Sequence, residues 1–179
     1  TVTPAGQGNF TIFGSDQLLV GRYLVPPTLV DYEELEEHSR AVTGVRATAG
    51  LISGLARVEI GSTRSEHTVF GVDFADYREL FPSLTLVSGA FPEPGEPGLL
   101  VQEGWGEVVG RNALLATASR RSFTLREVPV TGVFSYPAED QLLDSVVLVD
   151  ATTARALNGY LYGASETEIS EEEGEILES

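Results

Sequence analysis

Glycine and proline interrupt this chain so often that no long apolar segment survives between them. There are 19 Gly and 9 Pro in 179 residues, and unbroken aliphatic or aromatic runs reach only four residues, as in Val146-Val147-Leu148-Val149. A membrane-spanning helix needs about 20 apolar residues in succession, so none is encoded here. What fits the spacing is many short strands bounded by turns, with a few short helices. The expected class is α+β, a strand-rich mixed sheet with short helices.

The small polar start, Thr1 to Gly8, reads as a mobile entry segment. Strands are expected at Phe10–Phe13 and Gln17–Val25, the second stopped by Pro26-Pro27. Thr28 to Val42 is the best helix, with acids first, Arg40 near its end and Gly44 as its stop. Its apolar stripe holds Tyr32, Leu35, Ser39 and Val42. Val45 to Ile60 reads as two strands separated by a bend, Gly61–Ser65 as a turn, and His67 to Val72 as a strand. Asp73 is placed to cap a helix from Phe74 to Leu80. Leu86 to Phe91 leads into a rigid turn whose three prolines are Pro92, Pro94 and Pro97. Leu99–Gln102 is a buried strand, and Glu103 to Val109 is expected to be a short helix. Ala113–Ala118 and Ser122–Val128 form a hairpin around Arg120-Arg121, and Pro129–Phe134 resumes after a break. Asp144–Val149 is the last strand, with Asp150 capping a helix Ala151–Leu157 and Asn158-Gly159 ending it. The expected core is Leu35, Val42, Val58, Phe70, Val72, Leu100, Val101, Phe123, Val133, Val147 and Leu148. Val-Thr-Gly-Val occurs at 42–45 and again at 130–133, in unrelated surroundings.

Composition narrows the chemistry. The chain has no Cys, which removes disulfides, thiolate zinc sites and Cys nucleophiles. All 11 basic residues are Arg, so no Schiff-base or phosphate-loop lysine exists. Met is also absent, which points to a processed chain or a piece of a longer one. Net charge is −16, the wrong sign for binding phosphate backbones or an anionic membrane surface. Residues 165–179 contribute seven of the acids and no base. Residues 1–164 read as the folded domain, and 165–179 as an acidic tail with disorder or a late-added strand as its alternatives. Only Ile169, Ile176 and Leu177 could anchor that tail.

Candidate reactive residues are sparse. His38 lies four residues after Glu34 on the same helix face, a pair that could in principle contribute to a metal site but reads as a solvated face. His67 precedes Asp73 and Asp76, which could offer oxygens to a hard cation; Asp73 reads better as a helix cap. Ser53 stands beside Gly54, yet no Gly-x-Ser-x-Gly elbow surrounds it. The 27 acids single out no glycosidase pair. Gly104-Trp105-Gly106-Glu107-Val108-Val109-Gly110 follows a strand, as a dinucleotide fingerprint would. Its third glycine comes one position late, and Glu103 puts negative charge where a pyrophosphate would sit. It reads as a short helix with Trp105 packed on a sheet. Arg120-Arg121 is the only basic pair and reads as a solubilising turn, with a carboxylate-bearing partner or a lipid phosphate as the functional alternative. No catalytic, cofactor-binding or metal residue is assigned, no cofactor is expected, and the chain reads as no enzyme.

The order of segments is more informative than any single residue. A strand enters Gly71-Val72-Asp73-Phe74-Ala75-Asp76-Tyr77. Leu86-Val87-Ser88-Gly89-Ala90-Phe91 and a Pro/Gly/Glu turn follow. Gly98-Leu99-Leu100-Val101-Gln102-Glu103 comes next, then Val130-Thr131-Gly132-Val133-Phe134, and finally Val146-Val147-Leu148-Val149-Asp150 before a helix. Over roughly residues 40–160 this order resembles the extracytoplasmic core domain of MacB/FtsX-like, lipoprotein-releasing-type ABC transporter permeases. The chain departs from that pattern at Arg111-Asn112 and at Gly104-Trp105-Gly106.

The resemblance implies a porter-like lobe plus a smaller strand-rich lobe, without catalytic activity, set between two membrane helices of a bacterial permease. Both chain ends would then return to one side. It also implies an inner-membrane parent with this domain on the extracytoplasmic or periplasmic side. The implied partners are an ATP-binding subunit or domain, a second permease copy or sister permease, and an extracytoplasmic cargo or adaptor; nucleic acid is not among them. Its role would be to couple ATP hydrolysis in the cytoplasm to export, extraction or signalling outside the membrane. The competing readings are a free-standing binding or adhesion module and a carboxylate- or metal-dependent hydrolase.

Overall fold

The computed structural model describes residues 32–118, 123–137 and 145–158. The described chain runs α1 (Tyr32–Ala41), β1 (Ile52–Ile60), β2 (Thr63–Val72), α2 (Phe74–Leu80), β3 (Thr85–Gly89), β4 (Leu99–Gln102), β5 (Asn112–Ala118), β6 (Phe123–Ser135), β7 (Val146–Asp150) and α3 (Ala151–Leu157). It is a strand-rich α+β fold on one mixed sheet. The strands expected at 10–13 and 17–25, the Arg120-Arg121 tip, Gly159, the chain ends and the acidic tail lie outside the described residues.

The sheet order is β3-β6-β4-β7-β2-β1-β5. β2 and β7 run parallel, as do β4 and β6. The other pairs are antiparallel. β6 is long enough to serve two neighbourhoods. Its first half pairs with β5, from Ala118↔Phe123 to Asn112↔Pro129. Its second half lies between β3 and β4. The hydrogen-bonded order therefore closes into a ring, β6-β4-β7-β2-β1-β5, with β3 added outside β6.

All six ring strands send residues to one interior cluster, among them Val58, Val69, Leu99, Val101, Leu115, Val128, Val130, Val147 and Val149. α3 adds Ala154 and Leu157 to it. The opposite face of the central strands carries a second cluster: Phe70, Val72, Leu100, Phe134, Val146 and Leu148, covered by Phe74 and Tyr77 of α2. Successive residues of β4 and β7 alternate between the two clusters, as the two-residue strand period requires. This is why those strands read as unbroken apolar runs: both of their faces are buried.

The helix ends follow from local chemistry. The Asp73 carboxylate accepts from the Ala75 and Asp76 backbone N–H groups at 2.8 and 3.2 Å. Asp150 accepts from the Thr153 N–H at 2.8 Å. Its other oxygen accepts from the Gly98 N–H at 3.2 Å, so this cap also ties down the end of the proline-rich turn. α3 sits directly on β2, where a Cβ on Gly71 would stand 2.0 Å from the Ala154 Cβ. Only glycine lets helix and strand approach that closely.

Several expectations are corrected. Glu103–Val109 is not a helix: Gly104, Gly106 and Gly110 take φ of 107°, 74° and 83°, which no right-handed helix accommodates. The two strands expected within 45–60 are one, β1, running through Gly54 without a break, and 45–51 is irregular. The turn at 61–65 contracts to Gly61-Ser62, because β2 already starts at Thr63. β6 is continuous through Pro129. Two expected core residues are exposed, Val42 by 58% and Phe123 by 68%. Val42 lies past the last helical residue. Phe123 is on the outward phase of a strand whose inward phase is set by Val128. Leu35 is only half-buried.

Two stability predictions follow. Leu100→Ala should lose about 2–4 kcal/mol, because Leu100 is fully buried between β6 and β7. Gly71→Ala should cost about 1–3 kcal/mol through overpacking, and Ala154→Gly should recover part of that loss in the double variant. Urea melts with unchanged m-values would establish both. Additive losses for Gly71→Ala and Ala154→Gly would contradict the helix–strand contact.

Candidate functional site

The half-buried end of β2 gathers the most reactive side chains of the described structure. Ser65 and His67 alternate on the strand and so share one face. Ser65 Oγ lies 2.6 Å from His67 Nε2, and His67 Nδ1 lies 3.1 Å from the Ser145 carbonyl oxygen. A carbonyl only accepts, so Nδ1 carries the hydrogen and Nε2 of the neutral ring accepts from the Ser65 hydroxyl. Trp105, from the β4–β5 loop, packs on the interior cluster with its ring centroid 5.1 Å from that of His67. Partial burial lowers the His67 pKa from its ordinary value, and the Ser145 hydrogen bond opposes the shift.

No Gly-x-Ser-x-Gly elbow marks this pair; its sequence signal is Ser-x-His on a strand. Its geometry is that of a hydrogen-bonded dyad. Acyl transfer also needs donors for an oxyanion. The N-termini of α2 and α3 are already taken by the carboxylates of Asp73 and Asp150. The neutral imidazole instead joins β2 to the segment entering β7 and gives Trp105 a surface to pack on.

The other candidates are separated from this cluster in role. His38 is exposed on α1, and its Nδ1 lies 2.7 Å from the backbone carbonyl of Glu34, so the Glu34 carboxylate is not its partner. Asp73 is a cap, and Asp76 faces Arg40 instead of His67. Arg40 Nη2 lies 2.9 Å from Glu36 and 3.3 Å from Asp76, linking α1 to α2. Burial and the neighbouring Asp73 charge push the Asp76 pKa up, and Arg40 opposes this. An open depression beside the bridge is lined by Arg40, Val45, Arg46, Thr48, Asp76 and Glu79. Two arginines and two acids leave it without a dominant charge for an anion or a cation. Ser53 is exposed on β1. Among the described residues, no three of His, Asp and Glu come together as a metal site would require. The glycine-rich stretch 104–110 lacks the helix N-terminus on which a pyrophosphate would rest.

The His67 arrangement makes acid sensitivity predictable. A His whose folded pKa is depressed leaves stability intact above the unfolded value. Stability is lost as pH falls from about 6.5 toward the folded value, because only the unfolded state takes up the proton there. Trp105 is the sole tryptophan, and an imidazolium quenches an adjacent indole. Its emission should therefore fall on acidification with a midpoint below 6.5, and His67→Gln should flatten both that titration and the acid loss in Tm. A midpoint at or above 6.5 in the native chain would contradict the burial of His67.

No protein-family profile matches the sequence, and no curated protein does. Solved structures do resemble the chain. The extracellular domain of the noncanonic ABC-type transporter YknZ from Gram-positive bacteria aligns at a TM-score of 0.53 and 14% identity, over 71% of this chain and 66% of that one. The periplasmic region of MacB from Actinobacillus actinomycetemcomitans aligns at a TM-score of 0.49 and 13% identity, over 68% of this chain and 55% of that one. This chain thus spans only part of each. At such identity the likeness is one of fold alone: the described chain shares its fold with the YknZ extracellular domain over 71% of its length.

Proposed function

We propose that this chain is the extracytoplasmic domain of a bacterial ABC transporter permease. The fold likeness to the YknZ extracellular domain carries this reading. The order of motifs over residues 40–160 supports it independently, because it pointed to the same kind of domain from the sequence. In this reading residues 1–164 are the ectodomain core and 165–179 its acidic tail. The domain performs no chemistry of its own. An ATP-binding subunit or domain hydrolyses ATP in the cytoplasm, and the ectodomain moves against a second permease copy or a sister permease. That movement acts on a cargo or an adaptor outside the membrane. The parent protein sits in the cell membrane, held by helices that flank this domain.

The reading is tested first on the parent reading frame. An apolar run of about 20 residues just before Thr1, and three more soon after Ser179, are expected. A frame without flanking spans would leave a free-standing module. The absence of catalysis is tested on the purified chain. A serine-reactive fluorophosphonate should leave Ser65 unlabelled, and titration calorimetry with zinc, calcium, ATP and NAD should find nothing tighter than roughly millimolar, about −4 kcal/mol. Labelling abolished by Ser65→Ala and His67→Ala would move the reading to a hydrolase. A micromolar metal site lost in Asp73→Ala would do the same for a metal-dependent one.

A further inference from the structure

α1 adds nothing to either core. From Glu34 to Ala41 no side chain of this helix belongs to the interior cluster or to the cluster under α2. Leu35 is the one large apolar residue of that stretch and is only half-buried. The side-chain hydrogen bonds from α1 to other described elements all pass through two polar residues. Arg40 Nε donates to Thr48 Oγ1 at 2.8 Å, and Arg40 Nη2 donates to both oxygens of Asp76 on α2, at 3.3 and 3.4 Å. Glu36 accepts from the same Nη2 at 2.9 Å and from the Thr48 hydroxyl at 3.2 Å. The contacts of His38 and Ser39 run to carbonyls of α1 itself.

Charge makes this bridge decisive. The α1 sequence holds Glu33, Glu34, Glu36 and Glu37 against a single Arg. Asp73, Asp76 and Glu79 stand at α2. Burial, then the charges of Asp73, Glu36 and Glu79, raise the Asp76 pKa, and only Arg40 opposes them. Without Arg40 the two helices would meet acid to acid. Arg40 is half exposed and Asp76 about a third exposed, so the bridge is within reach of water and weak. The helices do not pack flush, because the depression beside the bridge keeps about 300 Å³ open. The connection onward is loose. Gly44 takes φ 94° with no atom near enough to meet a Cβ, Val42 and Val45 are exposed, and β1 begins only at Ile52. An element with no share in a core opens at low free energy.

We propose that α1 is a hinged arm, latched to α2 by the bridge from Arg40 to Asp76 and able to swing away from the ring as a unit about residues 42–51. One guanidinium turns a repulsive approach between two acidic helices into an attractive one. Opening leaves both core clusters whole and uncovers Thr48, Asp76 and Glu79. Whatever neutralises Arg40, or competes for it, therefore frees the arm without unfolding the sheet. The proposal stands independently of the transporter reading.

The chain has no Cys, which makes a clean test possible on its full length. Glu37→Cys on α1 and Ser62→Cys at the β1–β2 turn, both exposed, accept two nitroxide labels whose separation is read by pulsed electron resonance. The labelled chain should show one narrow distance, that of the docked arm. Arg40→Gln should replace it with a broad, longer distribution. The reversed pair, Arg40→Asp with Asp76→Arg, should bring the narrow distance back. Tm should move by less than about 4 °C in each variant, the scale of one surface contact in a domain of this size. A narrow distance that survives Arg40→Gln overturns the proposal, because something else then holds α1. A reversed pair that stays broad overturns it too, since the contact would not be the bridge. A broad distribution in the native chain shows no latch, and a larger fall in Tm with Arg40→Gln makes α1 part of the cooperative core; either result also overturns it.

Discussion

β6 changes partners halfway along its length, and the architecture depends on that exchange. Up to Pro129 it is a hairpin partner of β5. From Val130 onward it lies between β3 and β4. The junction is held by backbone bonds on both sides of one residue: the Val130 N–H donates to the Arg111 carbonyl at 2.8 Å, and the Val130 carbonyl accepts from the Gly110 N–H at 2.8 Å. A strand that ended at Pro129 would leave an open sheet. Because it continues, the β1–β5 arm is drawn round into the ring, and its inward residues meet those of β4 and β7 in one cluster. The register slip near Leu99 and Leu100 of β4 lets both Val130 and Val133 face that interior, while Phe134 turns to the α2 side.

Among the described strands the remaining free edge, that of β3, is treated differently. β3 is five residues long, and its register slips between Leu86 and Ser88, leaving a bulge with exposed Val87. Short length and a bulge both discourage another chain from extending a sheet. On the same side the Tyr77 and Tyr136 hydroxyls meet at 2.7 Å and fasten α2 to the end of β6. Burial raises the pKa of both phenols, Tyr136 well above the ordinary range. The pair therefore stays protonated at neutral pH, a neutral bond between helix and sheet.

Much of this was legible because it was local. Asp73 and Asp150 announced two helices, and the apolar runs at 99–101 and 146–149 announced strands buried on both faces. Phe70, Val72, Leu100, Val101, Val147 and Leu148 belonged to the core as read. What was illegible depended on distant partners. Val-Thr-Gly-Val shows this within one chain: at 42–45 it follows a helix, with Gly44 at φ 94°, and at 130–133 it is a strand between two others. The residues are identical, so the neighbours decide. Phe123 was read inward because its apolar character is local information, whereas its phase is set by Val128 meeting Ala113 across the ladder. The Ser65–His67 contact needed the strand to begin at Thr63, and Trp105 reached it only because three left-handed glycines shape the loop as something other than a helix. The fold likeness lay in segment order, a property that survives when individual motif residues change.

The position of β7 has a consequence for how the molecule is made. It is the last strand in the described chain, yet it occupies the middle of the sheet, between β4 and β2. While the ribosome has delivered only the residues before Val146, β2 and β4 each present a bare backbone edge to the gap that β7 will fill. The sheet cannot be completed progressively from the N-terminus, and pairings this far apart in sequence make for slow folding. Nascent copies of this chain therefore carry an unfinished, adhesive centre until β7 arrives, and a holding chaperone or a delay in exposure to other copies would protect them during that interval.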